Sequence, residues 1–230
     1  METSWKERVT IKALYKEPTH SIAFPYLERF TYPWEALAGL SDYILELGAT
    51  LPADEYDHPA EDIWIAKSAT VSPLATLKGP LIVCPEADIR QCAFIRGSAI
   101  VGCHTVVGNS TELKNCILFD NVQVPHFNYV GDSILGYRSH MGAGSVTSNV
   151  KSDKSLVCIR FDAERIETER KKVGAMLGDF VEVGCNSVLN PGTVIGDHSN
   201  VYPLSSVRGF IPANHIFKSQ NQIVAKKETI

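Results

Sequence analysis

The sequence predicts an all-β fold, a parallel β-helix prism carrying a small α-containing appendage at its N-terminus, and three observations predict it. Every sixth residue from Ile65 is apolar: Ile65, Val71, Leu77, Val83, Ile89, Ile95, Val101, Val107, Leu113 and Phe119. The positions two ahead are small or apolar, from Ala69, Ala75 and Leu81 through Ala93 and Ala99 to Ile117. The rhythm then returns as Leu177, Val183, Leu189, Ile195, Val201 and Val207. Side chains two apart in a strand share a face, so each pair points inward together. A six-residue period suits neither a lone helix nor a hairpin meander. Three hexads close a triangular coil, and stacked coils pair their backbones at about 4.8 Å.

Each segment is expected to follow from this pattern in turn. Residues 1–60 form a cap or connector with one helix, which Pro33 can start and Gly48 can stop in "YPWEALAGLSDYILELG". Such a piece can cover the open end of the prism. Residues 61–210 are the prism, interrupted by the charged excursion 156–172, "LVCIRFDAERIETERKK", read as an inserted loop or hairpin. After Arg208 the rhythm stops, and 211–230 is a closing tail.

Composition excludes several classes. The net charge of −4 argues against general affinity for nucleic acid or an anionic membrane. No run approaches the roughly 18 apolar residues of a membrane helix, and "METSWKERVTIKALYK" lacks the apolar stretch of a secretory signal, so a cytoplasmic location is expected. The six cysteines include no Cys-x-x-Cys pair and read as reduced packing residues.

Residues eighteen apart stack on one edge of such a prism. Lys78, Arg96 and Lys114 therefore form a basic column. Two like charges at about 4.8 Å repel by roughly 1 kcal/mol even in water, and an anion between them reverses the sign. The column fits exposed turn residues that splay apart, or a phosphate site of one planar fork and two point charges.

From Phe119 to Val124, and again from Val130 to Leu135, the interval falls to five, and Pro125 stands where an aliphatic residue was due. A shortened turn re-aims the side chains beside it, here His126, Asn128 and Tyr129. A neutral imidazole suits His126 to general-base work, although a lone histidine is more often structural.

Arg96, "VGNSTELKN" with Lys114, "VPHFNYVGD" with His126 and Tyr129, "MGAG" at Met141–Gly144 and Asn149 in "SVTSN" resemble the acetyltransferase domain of bifunctional N-acetylglucosamine-1-phosphate uridyltransferases, which are hexapeptide-repeat proteins. The later run "KVGAMLGDFVEVGCNSVLNPGTVIG" is most similar to archaeal-type bifunctional sugar-1-phosphate nucleotidylyltransferases. The resemblance implies a left-handed prism, a homotrimer, and N-acetylation of glucosamine or galactosamine 1-phosphate with acetyl-coenzyme A as co-substrate. It implies that His126 deprotonates the sugar amine. Arg96 and Lys114 would hold the phosphate, with Tyr129, His140 and Asn149 about the sugar. A backbone amide near Ala143 would meet the acetyl oxygen, and Lys154, Cys185 and Pro203 would contact the coenzyme.

Several positions depart from the family. His140 stands where it has a sugar-binding asparagine; its lysine six beyond Asn149 is Ser155 here, with Lys154 one place early; Cys185 and Pro203 replace small residues. The first glycine is Gly39, so no Gly-rich phosphate loop precedes it and no uridyltransferase activity is expected, though a separate nucleotidyltransferase can be a partner. The alternative is a non-catalytic sugar-phosphate-binding or assembly subunit. No metal is expected: no His-x4-His pair exists, and His104, His126 and His140 are separated by twenty-two and fourteen residues, unlike stacked ligands. The charged excursion is read as a solvated loop or as a coenzyme-phosphate contact through Arg160, Arg165, Lys171 or Lys172.

Overall fold

Apolar side chains at six-residue intervals can all point inward only if the chain turns a corner after each. In the computed structural model, which describes residues 4–227, it does so and winds as a left-handed parallel β-helix. Face I stacks Ile65, Val83, Val101, Leu118, Leu135, Leu177, Ile195 and Ile211 in one inward column. Face II stacks Val71, Ile89, Val107, Val124, Met141, Val183, Val201 and Phe217. Face III stacks Leu77, Ile95, Leu113, Val130, Thr147, Leu189 and Val207. From Val83 to Val207 these side chains are at most 4% exposed. Burying each apolar one contributes roughly 1.5–3 kcal/mol. Many corners bend through left-handed non-glycine residues, among them Cys92, Ser110, Phe127 and Leu204 between faces II and III, with φ of 62°, 54°, 53° and 60°.

The first of the two shortened steps lies elsewhere than the spacing suggests, while the second, from Val130 to Leu135, lies where it was expected. Val101 pairs with Leu118, and Leu118 with Leu135, so the intervals of five run from Leu113 to Leu118 and from Val130 to Leu135. Leu118 replaces Phe119 as the inward residue, and the interval from Leu118 to Val124 remains six. Phe119 is buried instead against Tyr15, ring centroids 5.0 Å apart. The corner that loses a residue is therefore III–I, at Asn115 and Asp132, and not the corner of His126.

The single helix expected in residues 1–60 is replaced by four short ones, α1 (Ile11–Leu14), α2 (Phe24–Leu27), α3 (Pro33–Ala36) and α4 (Leu40–Gly48), with 3-10 turns at Glu7–Val9 and Pro18–His20. Between α3 and α4 the Tyr26 hydroxyl donates to the Ala36 carbonyl at 2.7 Å, taking the acceptor that a continuous helix would offer Leu40. None of the helices is long and apolar enough to cross a membrane.

This segment lies along face I, rather than over the open end. The outward residues of that face, Trp64, Ile82, Ile100, Ile117, Ile134, Met176, Val194 and Phe210, form a second apolar column, each at most 8% exposed. Helices α3 and α4 pack on its N-terminal half. Trp5 packs on Phe161 and Phe210, centroids 5.8 and 6.4 Å away. The excursion contributes Phe161 from a hairpin of Cys158–Phe161 and Glu164–Glu167.

At each end of the coil one face is closed by a reversed strand. Tyr56–Ala60 pairs antiparallel with Ile63–Ala66 at one end, and Gln222–Ala225 with His215–Ser219 at the other. The last coil therefore runs past residue 210, because Ile216 and Phe217 still pair with Asn200 and Val201.

The double covering of Ile117 makes it a test of the arrangement. Ile117→Ala is expected to lower unfolding free energy by about 2–5 kcal/mol in a denaturant titration. Val188→Ala, on face III where Val188 is 38% exposed, is expected to change it by less than about 0.5 kcal/mol.

Candidate active site

Leu77, Ile95 and Leu113 stack on face III, which places Lys78, Arg96 and Lys114 on one corner, III–I. Each cation is already engaged. Lys78 Nζ lies over the Phe94 ring, 5.6 Å from its centroid. Arg96 Nη1 donates to Glu112 Oε1 at 2.8 Å, and Lys114 Nζ donates to Asp132 Oδ2 at 3.1 Å. Two of the column's three cations are thus compensated by carboxylates that the spacing did not single out.

Asp132 is the centre of this edge. Its side chain is 3% exposed and also accepts from Asn115 Nδ2 at 2.8 Å and from Asn149 Nδ2. Asn149 Nδ2 lies 3.2 Å from the Tyr129 hydroxyl, so Lys114, Tyr129 and Asn149 belong to one network, with Arg96 beside it through Glu112. The Tyr129 phenol is held above its ordinary range by burial, then by the Asp132 and Glu112 charges. Its ring folds back over Gly131, where a Cβ would lie 2.4 Å from the Tyr129 hydroxyl. Asn115 and Asp132 were discoverable: they are seventeen residues apart and take the left-handed corner, with φ of 50° and 49°, a backbone that Asn and Asp tolerate.

A second group stands on corner II–III. His126 pairs in register with Asn109, and the same edge continues through Ala143, Cys185 and Pro203. Backbone bonds tie them: Gly144 N donates to His126 O at 3.0 Å, Asn186 N to Ala143 O at 2.8 Å, and Leu204 N to Cys185 O at 2.9 Å. The His126 ring is exposed and makes no hydrogen bond among the described residues. The Ala143 N–H likewise has no backbone acceptor among them. Phe127, Tyr202 and Leu204 add apolar surface here, 62%, 46% and 80% exposed.

The structure does not bring these groups together within one chain. His126 and the Lys114 corner bound opposite edges of face III, separated by four to five extended residues, about 15 Å. His140 lies apart from both, on the outside of face II, where its Nδ1 is 2.8 Å from Glu182 Oε2. Together with Asn121, Gln123, Arg138 and Phe180 that pair lines a cavity of about 440 Å³. Lys154 occupies an exposed turn closed by its N–H to Lys151 O at 2.9 Å. Near that turn, Lys151, Asn190 and Arg208 line a cavity of about 540 Å³ on the III–I side. Among the described residues, no three His, Cys, Asp or Glu side chains are placed to hold a metal ion.

A triangular prism wound from hexads is the architecture of the hexapeptide-repeat proteins. Residues 77–224 match the GMPPB C-terminal domain, and the chain belongs to that family. It is 26% identical over 205 residues to the bifunctional protein GlmU of Methanococcus maripaludis, covering 88% of this chain and 50% of the relative. It is 28% identical over 160 residues to a bifunctional sugar-1-phosphate nucleotidylyltransferase/acetyltransferase of Sulfurisphaera tokodaii, covering 62% of this chain and 40% of that one. The chain thus spans half or less of the length of these curated relatives. Among solved structures it is similar to the acetyltransferase domain of PglB from Neisseria gonorrhoeae in complex with acetyl coenzyme A, at 17% identity and a TM-score of 0.34, over 71% of this chain and 57% of that one.

The two ion pairs at the corner differ in burial, and their removal should differ accordingly. Glu112→Gln breaks an exposed pair and is expected to change stability by less than about 1 kcal/mol, an effect lost in high salt. Lys114→Met leaves Asp132 without its counter-charge and is expected to cost about 3 kcal/mol in the same denaturation assay.

Proposed function

We propose that this protein is a coenzyme A-dependent N-acetyltransferase acting on an amino-sugar 1-phosphate, glucosamine or galactosamine 1-phosphate, and that it works as a homotrimer. The observation that carries the reading is the gathering of Arg96, Lys114, Tyr129 and Asn149 on one edge of a prism in a family with bifunctional acetyltransferase relatives. A guanidinium and an ammonium stacked one coil apart suit a phosphate monoester, which exchanges with Glu112 for the Arg96 fork. Tyr129 and Asn149 present a hydroxyl and an amide to the sugar ring beside it.

Corner II–III would serve the second substrate, acetyl-coenzyme A. Ala143, Cys185 and Pro203 step along the edge at about 4.8 Å per coil, as an extended pantetheine requires, and Tyr202 and Leu204 offer it apolar contact. The His126 imidazole takes the proton from the sugar amine as nitrogen attacks the thioester carbonyl. The Ala143 N–H donates to the carbonyl oxygen as charge grows there. The proton on His126 then serves the departing thiolate.

Because His126 and Lys114 stand about 15 Å apart across face III, one protomer holds only half of such a site. A second copy with its II–III corner against this face would complete it. Face I, covered by residues 5–48, leaves faces II and III for that contact.

The compensated charges favour one other reading, a prism that binds sugar phosphates or assembles with a separate nucleotidyltransferase without acetylating anything. Turnover of acetyl-coenzyme A with glucosamine 1-phosphate and galactosamine 1-phosphate separates the two. Measurable transfer to either supports the enzyme; binding without transfer supports the assembly subunit. His126→Ala is expected to lower kcat by about 10²–10⁴-fold with the trimer intact by light scattering. An unchanged kcat would remove His126 from the chemistry.

A further inference from the structure

Asp132 is a carboxylate with four donor contacts on two oxygens and 3% of its side chain exposed. Lys114, in front of it, is 27% exposed. From solvent inward the order is therefore ammonium, then carboxylate. A phosphate arriving at this corner meets Lys114 and never touches Asp132. The αL backbone of Asp132 and its one-residue-short coil aim the carboxylate into the gap between Lys114, Asn115 and Asn149.

We propose that Asp132 is a positioning residue of the sugar-phosphate site, the single acceptor that holds Lys114, Asn149 and, through Asn149, the Tyr129 hydroxyl in one fixed arrangement. The inference rests on the amino-sugar 1-phosphate reading above. A lysine on four rotatable bonds loses considerable side-chain entropy when it must find a ligand unaided. Anchored on Asp132, it has lost that freedom before the ligand arrives. Asn149 gains as much: its amide nitrogen is held between Asp132 and the Tyr129 oxygen, 3.2 Å from the latter, which leaves its carbonyl oxygen committed to neither. Asn115 carries the same anchor outward, its Nδ2 lying 2.8 Å from Asp132 Oδ1 and 3.4 Å from the Leu37 carbonyl at the end of α3. The cover of face I is thereby joined to the site.

Asp132→Asn tests this, because a terminal amide cannot accept from Lys114, Asn115 and Asn149 at once and must point its own N–H groups at donors. The expected result is a KM for glucosamine 1-phosphate raised about tenfold or more, with the KM for acetyl-coenzyme A within about twofold. Asn115→Asp in the Asp132→Asn background returns a carboxylate to the neighbouring position and is expected to restore most of the lost affinity. A sugar-phosphate KM that does not move in Asp132→Asn, or two KM values that rise together, overturns the proposal. If Asp132→Asn fails to fold, the double variant carries the test, and a KM as poor as that of Asn149→Ala overturns it. Calorimetric titration of the wild-type protein with glucosamine 1-phosphate and with galactosamine 1-phosphate keeps the two readings apart. Wild-type protein that neither binds nor acetylates either sugar defeats the functional reading and this inference with it. Wild-type protein that does both, beside an Asp132→Asn variant that binds equally well, defeats only the positioning role.

Discussion

The in-register hydrogen bonding of each coil to the next is the constraint on which this molecule depends. A parallel ladder fixes which residues stand above one another, so a side chain has neighbours decided by arithmetic on the sequence and not by long-range docking. Val83, Val101 and Leu118 are inward because they share a rung, and Arg96 stands over Lys114 for the same reason. Functional groups distant in sequence are thereby gathered on an edge without any loop having to be positioned.

That constraint also explains how the edge departs from monotony. A coil of eighteen residues repeats its corners unchanged, whereas the loss of one residue at Asn115, and again at Asp132, substitutes a tighter bend whose left-handed residue turns its side chain among its neighbours. The polar network of Lys114, Asn115, Asp132 and Asn149 exists only there. It is balanced electrically: two cations facing two carboxylates leave a corner that tolerates its own like charges until an anion competes for Arg96.

The period, the triangular section and the stacking of Lys78, Arg96 and Lys114 were legible in the sequence, because inward positions must be apolar and the ladder counts in constant steps. The place of the first missing residue was not. Leu118 and Phe119 are both apolar and adjacent, so either continues the pattern, and Phe119 finds a second apolar environment against Tyr15. The apolar outer column of face I was equally present in the letters, at Ile82, Ile100, Ile117 and Ile134, although Ile117 fell among the positions expected to point inward. It signals that residues 5–48 pack sideways onto the prism. The Tyr26 bond that splits α3 from α4 is a tertiary contact that no helix-propensity argument contains. At the site, Lys114, Tyr129 and Asn149 fall into one network, while His126 and His140 lie on other surfaces of the same chain.

The reversed strands at the two ends of the coil carry a further meaning. A parallel stack is open-ended by nature, and any exposed rung invites another chain to continue it into a filament. Here Tyr56–Ala60 turns back across the first rung of face I with Asp57 and Pro59 exposed, and Gln222–Ala225 does the same at the last rung of face II, followed by Lys226 and Lys227. Charges and a proline make these two reversed strands, one on face I and one on face II, poor templates for a further rung.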